Sequence, residues 1–197
     1  MSLLYSQNLL NDAFTYSSYR QSLDEELMQN VQDEAIQKMR GYTEKNVAIM
    51  NTYDDICKVS GSLKAALETA PAAIWLVLTE GWCGDAAFNV PMMAAIERAM
   101  PDKVQLRLLY RDQNLDIIDA HLTNGGRSIP KLIVLDHSFN ELGSWGPQPK
   151  GLQQEMKTWK SEGLELKQII PKVREWYDKD ATQSVQHELE ELVKSYS

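Results

Sequence analysis

The segment Thr79-Glu80-Gly81-Trp82-Cys83-Gly84-Asp85-Ala86 constrains the fold more than any other part of this chain. Before it runs Ala72-Ala73-Ile74-Trp75-Leu76-Val77-Leu78, a continuous apolar stretch of strand length. After it, Ala87 to Met100 is amphipathic and reads as a helix. A cysteine therefore stands where a strand hands over to a helix N-terminus. The unpaired N–H groups there and the positive end of the helix dipole favour an anion, and a thiolate is an anion.

The pattern on either side differs. Up to about residue 70 the chain reads as helical. Ser22-Leu23-Asp24-Glu25 matches a capping box with Ser22 as N-cap, followed by Leu23, Leu27, Val31, Ala35 and Met39 at four-residue spacing. Gly41 reads as a stop, and a second helix fits Thr43 to about Lys58. Gly61-Ser62 breaks it, and a short helix follows up to Pro71. From Ala72 strands and helices alternate: strand 72–78, helix 84–100, strand Val104–Tyr110, short helix Leu115–Leu122, strands Lys131–Leu135 and Phe139–Ser144 joined by Asp136-His137-Ser138, then helices from Lys150 onward. Pro171 is expected near a helix start or at a kink. This order implies an α/β fold: a mixed sheet of parallel strands plus an antiparallel hairpin, flanked by helices.

Several separated motifs resemble the thioredoxin family. They are Trp82-Cys83-Gly84, Pro91 inside the following helix, the turn Arg111-Asp112-Gln113-Asn114, the pair Ile129-Pro130 ahead of the hairpin, and Gly146 after Trp145. The Trp-Cys-Gly-Asp variant with helical extensions is similar to a bacterial thioredoxin-like group. The resemblance implies a cis Pro130 and a substrate groove formed by Trp82, Gly84, Asp85, Ile129, Pro130 and Gly146, with Cys83 as the catalytic residue. In that family the backbone N–H and C=O of the residue before the cis-proline can pair with an extended peptide. It also implies three segments of one compact domain: an N-terminal helical extension over 1–62, a thioredoxin-like core over 63–165, and a C-terminal helical extension over 166–197.

Two departures bear on chemistry. Ala86 stands where the family has its second, resolving cysteine, and Val77 where it buries an aspartate under the disulfide. A lone thiolate can attack a disulfide, yet a second thiol must come from outside to release the product. The expected activity is monothiol oxidoreduction: Cys83 forms a mixed disulfide with a protein, and a low-molecular-weight thiol resolves it. The alternative is a redox-inactive module of the same fold that binds a peptide or partner protein. Asp85 opposes reactivity if it faces the sulfur, since like charges raise a thiol pKa. Cys57, on the apolar face of a helix, reads as a core residue rather than a resolving thiol.

Composition removes other classes. A net charge of −8 argues against general nucleic-acid binding, which needs a basic face, and the sequence shows no local basic patch. No apolar run reaches bilayer length, and Met1 to Leu10 has neither the basic start nor the apolar core of a secretion signal. With Cys57 and Cys83 as the sole cysteines, a cytoplasmic, reducing setting is expected. His121, His137 and His187 show no metal spacing, so neither a metal nor a cofactor is implied.

Overall fold

The computed structural model describes residues 4–197; residues 1–3, part of the stretch read for a secretion signal, lie outside it. The described chain begins with α1 (Gln7–Asp12), α2 (Tyr16–Met28), α3 (Glu34–Ile56) and α4 (Gly61–Thr69). It continues through β1 (Ala73–Thr79), α5 (Gly84–Ala99) and β2 (Val104–Tyr110). Then come α6 (Leu115–Ala120), β3 (Lys131–Leu135), β4 (Glu141–Trp145), α7 (Lys150–Ser161), α8 (Leu166–Asp180) and α9 (Gln183–Ser195).

The strand order is β2-β1-β3-β4. β1 and β2 run parallel, while β1 with β3 and β3 with β4 are antiparallel. This is the mixed sheet expected of a thioredoxin-like fold. β1 lies inside the sheet, and every one of its residues is buried, which is why its sequence lacks the alternation of a half-exposed strand. β4 forms an edge and is largely exposed or half-buried. The opposite edge, β2, is covered by Phe14, whose N–H and C=O pair with Leu108.

Three expectations need correction. Ser22 caps nothing: it lies inside α2, which Thr15 caps by accepting from the Ser18 amide at 3.2 Å. Ser22 Oγ instead donates to the Tyr19 carbonyl and meets Tyr110 Oη across the fold. The helix break falls near Asp33, whose carboxylate accepts from the Ala35 and Ile36 amides to start α3. Gly41 does not stop α3. A mid-helix glycine costs about 1 kcal/mol, and the buried stripe Thr43, Asn46, Met50 and Tyr53 outweighs that. The hairpin turn also runs longer than its sequence suggests. Asp136 accepts from the amides of Ser138 and Asn140, and Phe139 takes a left-handed conformation with φ 65°, so β4 begins at Glu141 instead of Phe139.

Pro171 lies inside α8. Tyr5, Leu10, Tyr19, Leu23 and Met50 from the N-terminal segment, and Val185, Leu189 and Val193 from α9, share one buried cluster with the sheet. A second cluster joins Tyr53, Phe88, Leu152 and Tyr177, so α3, α5, α7 and α8 meet over the start of α5.

Candidate functional site

Cys83 takes the capping position of α5, in an extended conformation with φ −80° and ψ 112°. The loop before it is clamped by the N-terminal helices. Asn46 of α3 donates to the Gly81 carbonyl at 2.9 Å, and a side chain at Gly81 would strike Leu23 and Thr43. On the other side, Glu80 is buried and its carboxylate accepts from the Asp112 amide at 2.9 Å, tying the loop to the turn after β2. Burial raises the Glu80 pKa, and that hydrogen bond counters it.

Cys83 is 7% exposed, and its S–H donates to the Ile129 carbonyl at 3.3 Å. Burial pushes the thiol up to about 12, and the nearby Asp85 charge pushes the same way. The Ala86 and Asp85 amides and Arg111 pull it down, but the sulfur makes no capping hydrogen bond. Of the helix terminus, which favours a thiolate, and the burial and Asp85 charge that oppose it, the latter prevail, and the thiol is held in its neutral form.

Asp85 neither points freely into solvent nor stands unpartnered beside the sulfur. Its carboxylate accepts from Tyr177 Oη of α8 at 2.9 Å and from Gln148 Nε2 at 2.8 Å. Burial raises its pKa to about 6, with the two hydrogen bonds opposing the shift. Tyr177 also accepts from Asn89 Nδ2 at 2.9 Å and stacks on Phe88 with ring centroids 4.2 Å apart. Asn89 reaches back to the Asp85 carbonyl at 2.8 Å. The first turn of α5 is thus bound directly to α8.

A cleft of about 600 Å³ opens above Cys83. Of the residues singled out from sequence, Trp82, Cys83, Gly84, Asp85 and Ile129 line it. Pro130 and Gly146 stand behind that wall rather than on it. Gly146 has φ +119° and packs its α-carbon against the Pro130 carbonyl, where a side chain would overlap that oxygen. The Ile129–Pro130 bond is cis, as is Gly146–Pro147. Arg111 lies over the Trp82 ring at 5.0 Å and donates to Asp112 and to the Arg127 carbonyl.

Sequence reasoning missed Tyr177, which holds Asp85, and the cleft-lining Gln148, Arg111 and α7 residues Gln153, Met156, Lys157 and Lys160. Arg111 belongs to the turn motif Arg111-Asp112-Gln113-Asn114, which in sequence signals only the turn. Lys157 and Lys160 share a helix face with Gln153 and Met156, a signal of a wall but not of which wall. Nothing local marks Tyr177. Cys57 is placed against Ala95, Arg98 and Ala99. Ala95 lies more than three turns along α5 from Cys83, roughly 18 Å at about 1.5 Å per residue, whereas a disulfide needs α-carbons within about 7 Å. Both cysteines are free.

Among the described residues no group of three or more His, Cys, Asp or Glu side chains could hold a metal ion. Nor is any described helix long and apolar enough to cross a membrane.

A family model described as thioredoxin matches residues 29–160. No curated protein matches. Among solved structures, an HIV epitope-scaffold protein is 15% identical, with a TM-score of 0.62 over 96% of this chain and 98% of its own. A protein of unknown function from Pseudomonas aeruginosa is 14% identical, with a TM-score of 0.63 over 98% of this chain and 99% of its own. At such identities these two structures speak to the fold alone.

Proposed function

Since the chain belongs to the thioredoxin family, we propose that it carries out monothiol thiol–disulfide exchange, with Cys83 as the attacking sulfur and an external thiol as the resolving partner. The observation that carries this reading is the placement of Cys83 Sγ at the start of α5, in a cleft wall it shares with Trp82 and Ile129. Cys57 lies too far away to resolve a mixed disulfide, so release falls to a thiol from solution. Two free cysteines suit a reducing compartment such as the cytoplasm.

The resting thiol is held back. At a pKa of about 12, about one molecule in a hundred thousand carries a thiolate at neutral pH. The Ile129 carbonyl that holds the S–H is also the acceptor an extended ligand backbone would use.

The raised thiol pKa favours a second reading, a thioredoxin-fold module that binds a partner in the cleft without redox turnover. Alkylation of Cys83 against pH in a Cys57→Ser background separates the two. Under the exchange reading, small disulfides cap Cys83 and added thiol uncaps it, and Cys83→Ser abolishes both. If Cys83 stays unreactive to disulfides at every pH up to about 10 while partner binding survives Cys83→Ser, the binding reading replaces it.

A further inference from the structure

The cleft above Cys83 carries a charge bias opposite to that of the chain. The protein has a net charge of −8, yet the cleft is lined by Arg111, Lys157 and Lys160 against the single carboxylate of Asp85. Arg111 shares its charge with Asp112, which is largely exposed. Lys157 and Lys160 form no ion pair among the described residues, although acidic side chains outnumber basic ones along the chain. They lie three residues apart on α7 and line the cleft together with Cys83. Asp85 is already engaged by Tyr177 and Gln148, so it is not available to neutralise them. Thr123, Asn124 and Ser128 add small polar groups at the rim.

Resting on the exchange reading above, we propose that the substrate of Cys83 is a low-molecular-weight disulfide bearing carboxylates on both halves. The lysines and Arg111 would hold its carboxylates while its sulfur reaches Cys83. One feature favours a small ligand over a long peptide: a volume of about 600 Å³ lies within the range typical of small-molecule sites. In the reaction Cys83 loses its proton and its sulfur attacks one sulfur of the ligand. The ligand S–S bond breaks as the Cys83–ligand S–S bond forms. Cys83 sulfur is oxidised, and the departing half leaves as a thiolate that takes up a proton.

Three probes of graded charge test this in the Cys57→Ser protein: dithiodipropionate (dianionic), hydroxyethyl disulfide (neutral) and cystamine (dicationic). Mass spectrometry follows capping of Cys83, and each rate is divided by that of the same probe with free 2-mercaptoethanol, a reference thiol that carries no other charged group. The expected order is dianionic, neutral, dicationic, with about tenfold or more between the extremes at low salt. That spread shrinks as added salt shortens the screening length. Lys157→Glu combined with Lys160→Glu removes or inverts it, whereas Lys38→Glu, outside the cleft, leaves it intact. If all three probes cap Cys83 in proportion to their intrinsic reactivity and the lysine reversals change nothing, exchange stands and acid selectivity is overturned. If no probe caps Cys83 under any condition, the exchange reading itself falls and this substrate class falls with it.

Discussion

Replacing Asp85 with asparagine tests the electrostatics of the site most directly. The new amide fits the existing partners: its oxygen accepts from Tyr177 Oη, and its nitrogen donates to Gln148 once that amide turns over. The substituted side chain therefore resembles protonated Asp85. The carboxyl pKa is raised from 3.8 to about 6, chiefly by burial. A folded-state pKa above the unfolded one means that the folded protein binds the proton more tightly. The associated stability is present below pH 3.8 and is lost as pH rises through about 6. Two units correspond to about 3 kcal/mol at about 1.4 kcal/mol each. Because the side chain retains some contact with water, we expect about 1–2 kcal/mol.

The variant should thus match the native protein near pH 4 and exceed it above pH 6, with a melting temperature higher by roughly 3–6 °C for a chain of this size. Denaturant titrations of both proteins from about pH 4 to 8 give this difference directly. The thiol gives a second readout. Two like charges about 4 Å apart repel by about 4 kcal/mol at an effective dielectric of 20, and by half that at twice the distance. Partial screening leaves an expected fall of about one to two units in the Cys83 pKa, and alkylation at pH 8 quickens about tenfold or more. A stability difference unchanged across that pH range, together with an unmoved alkylation midpoint, would refute this account of Asp85.

Tyr177→Phe keeps the ring stacked on Phe88 but removes the hydroxyl shared by Asp85 and Asn89. It should cost about 1–3 kcal/mol and carry the stability loss on raising pH through the Asp85 titration to higher pH, since the lost hydrogen bond had lowered the Asp85 pKa. Gly146→Ala forces a side chain onto the Pro130 carbonyl at a φ of +119°. A loss of several kcal/mol in denaturant unfolding is expected, with a native-like value contradicting the close approach. Cys57→Ser should leave the Cys83 alkylation rate within about twofold, because the two sulfurs lie at opposite ends of α5; a large change would mean that they communicate.

Much of the sheet was legible because its signals are local. The apolar run of β1, the β2 residues Val104–Tyr110 and the β3 residues Lys131–Leu135 read to within a residue or two. The start of α5 at Gly84 and the capping place of Cys83 followed from the same few residues. The failures came where two local rules competed. Ser22 and Glu25 have capping-box spacing, but Thr15 upstream had already started the helix. Gly41 has a stop signal, but packing of Met50 and Tyr53 carries α3 through it. The site's chemistry was less legible. Asp85 depends on Gln148 at a separation of 63 residues and on Tyr177 at 92. No periodicity or motif reports such a pairing. Sequence alone left two orientations of Asp85 open, and the one adopted is set by donors that only the fold brings near.

The placement of acids around Cys83 explains how this site differs from the family pattern it resembles. Val77 is fully buried in β1, at the place where that family keeps an aspartate under its disulfide, and Ala86 is fully buried where the resolving cysteine would be. An aspartate at Val77 would incur the cost of desolvation with no second thiol to serve. Asp85 occupies a different position with different support. Two donors hold its carboxylate, and its charge acts on Cys83 from beside the sulfur. The acid thereby changes from a group that would exchange protons with a thiol into one that keeps a thiol protonated. Such restraint suits a lone sulfur, because a constantly ionised thiolate is open to oxidation that no neighbouring thiol can reverse. Because Tyr177 belongs to α8, the C-terminal helices take part in this restraint as well as in the packing beside α5.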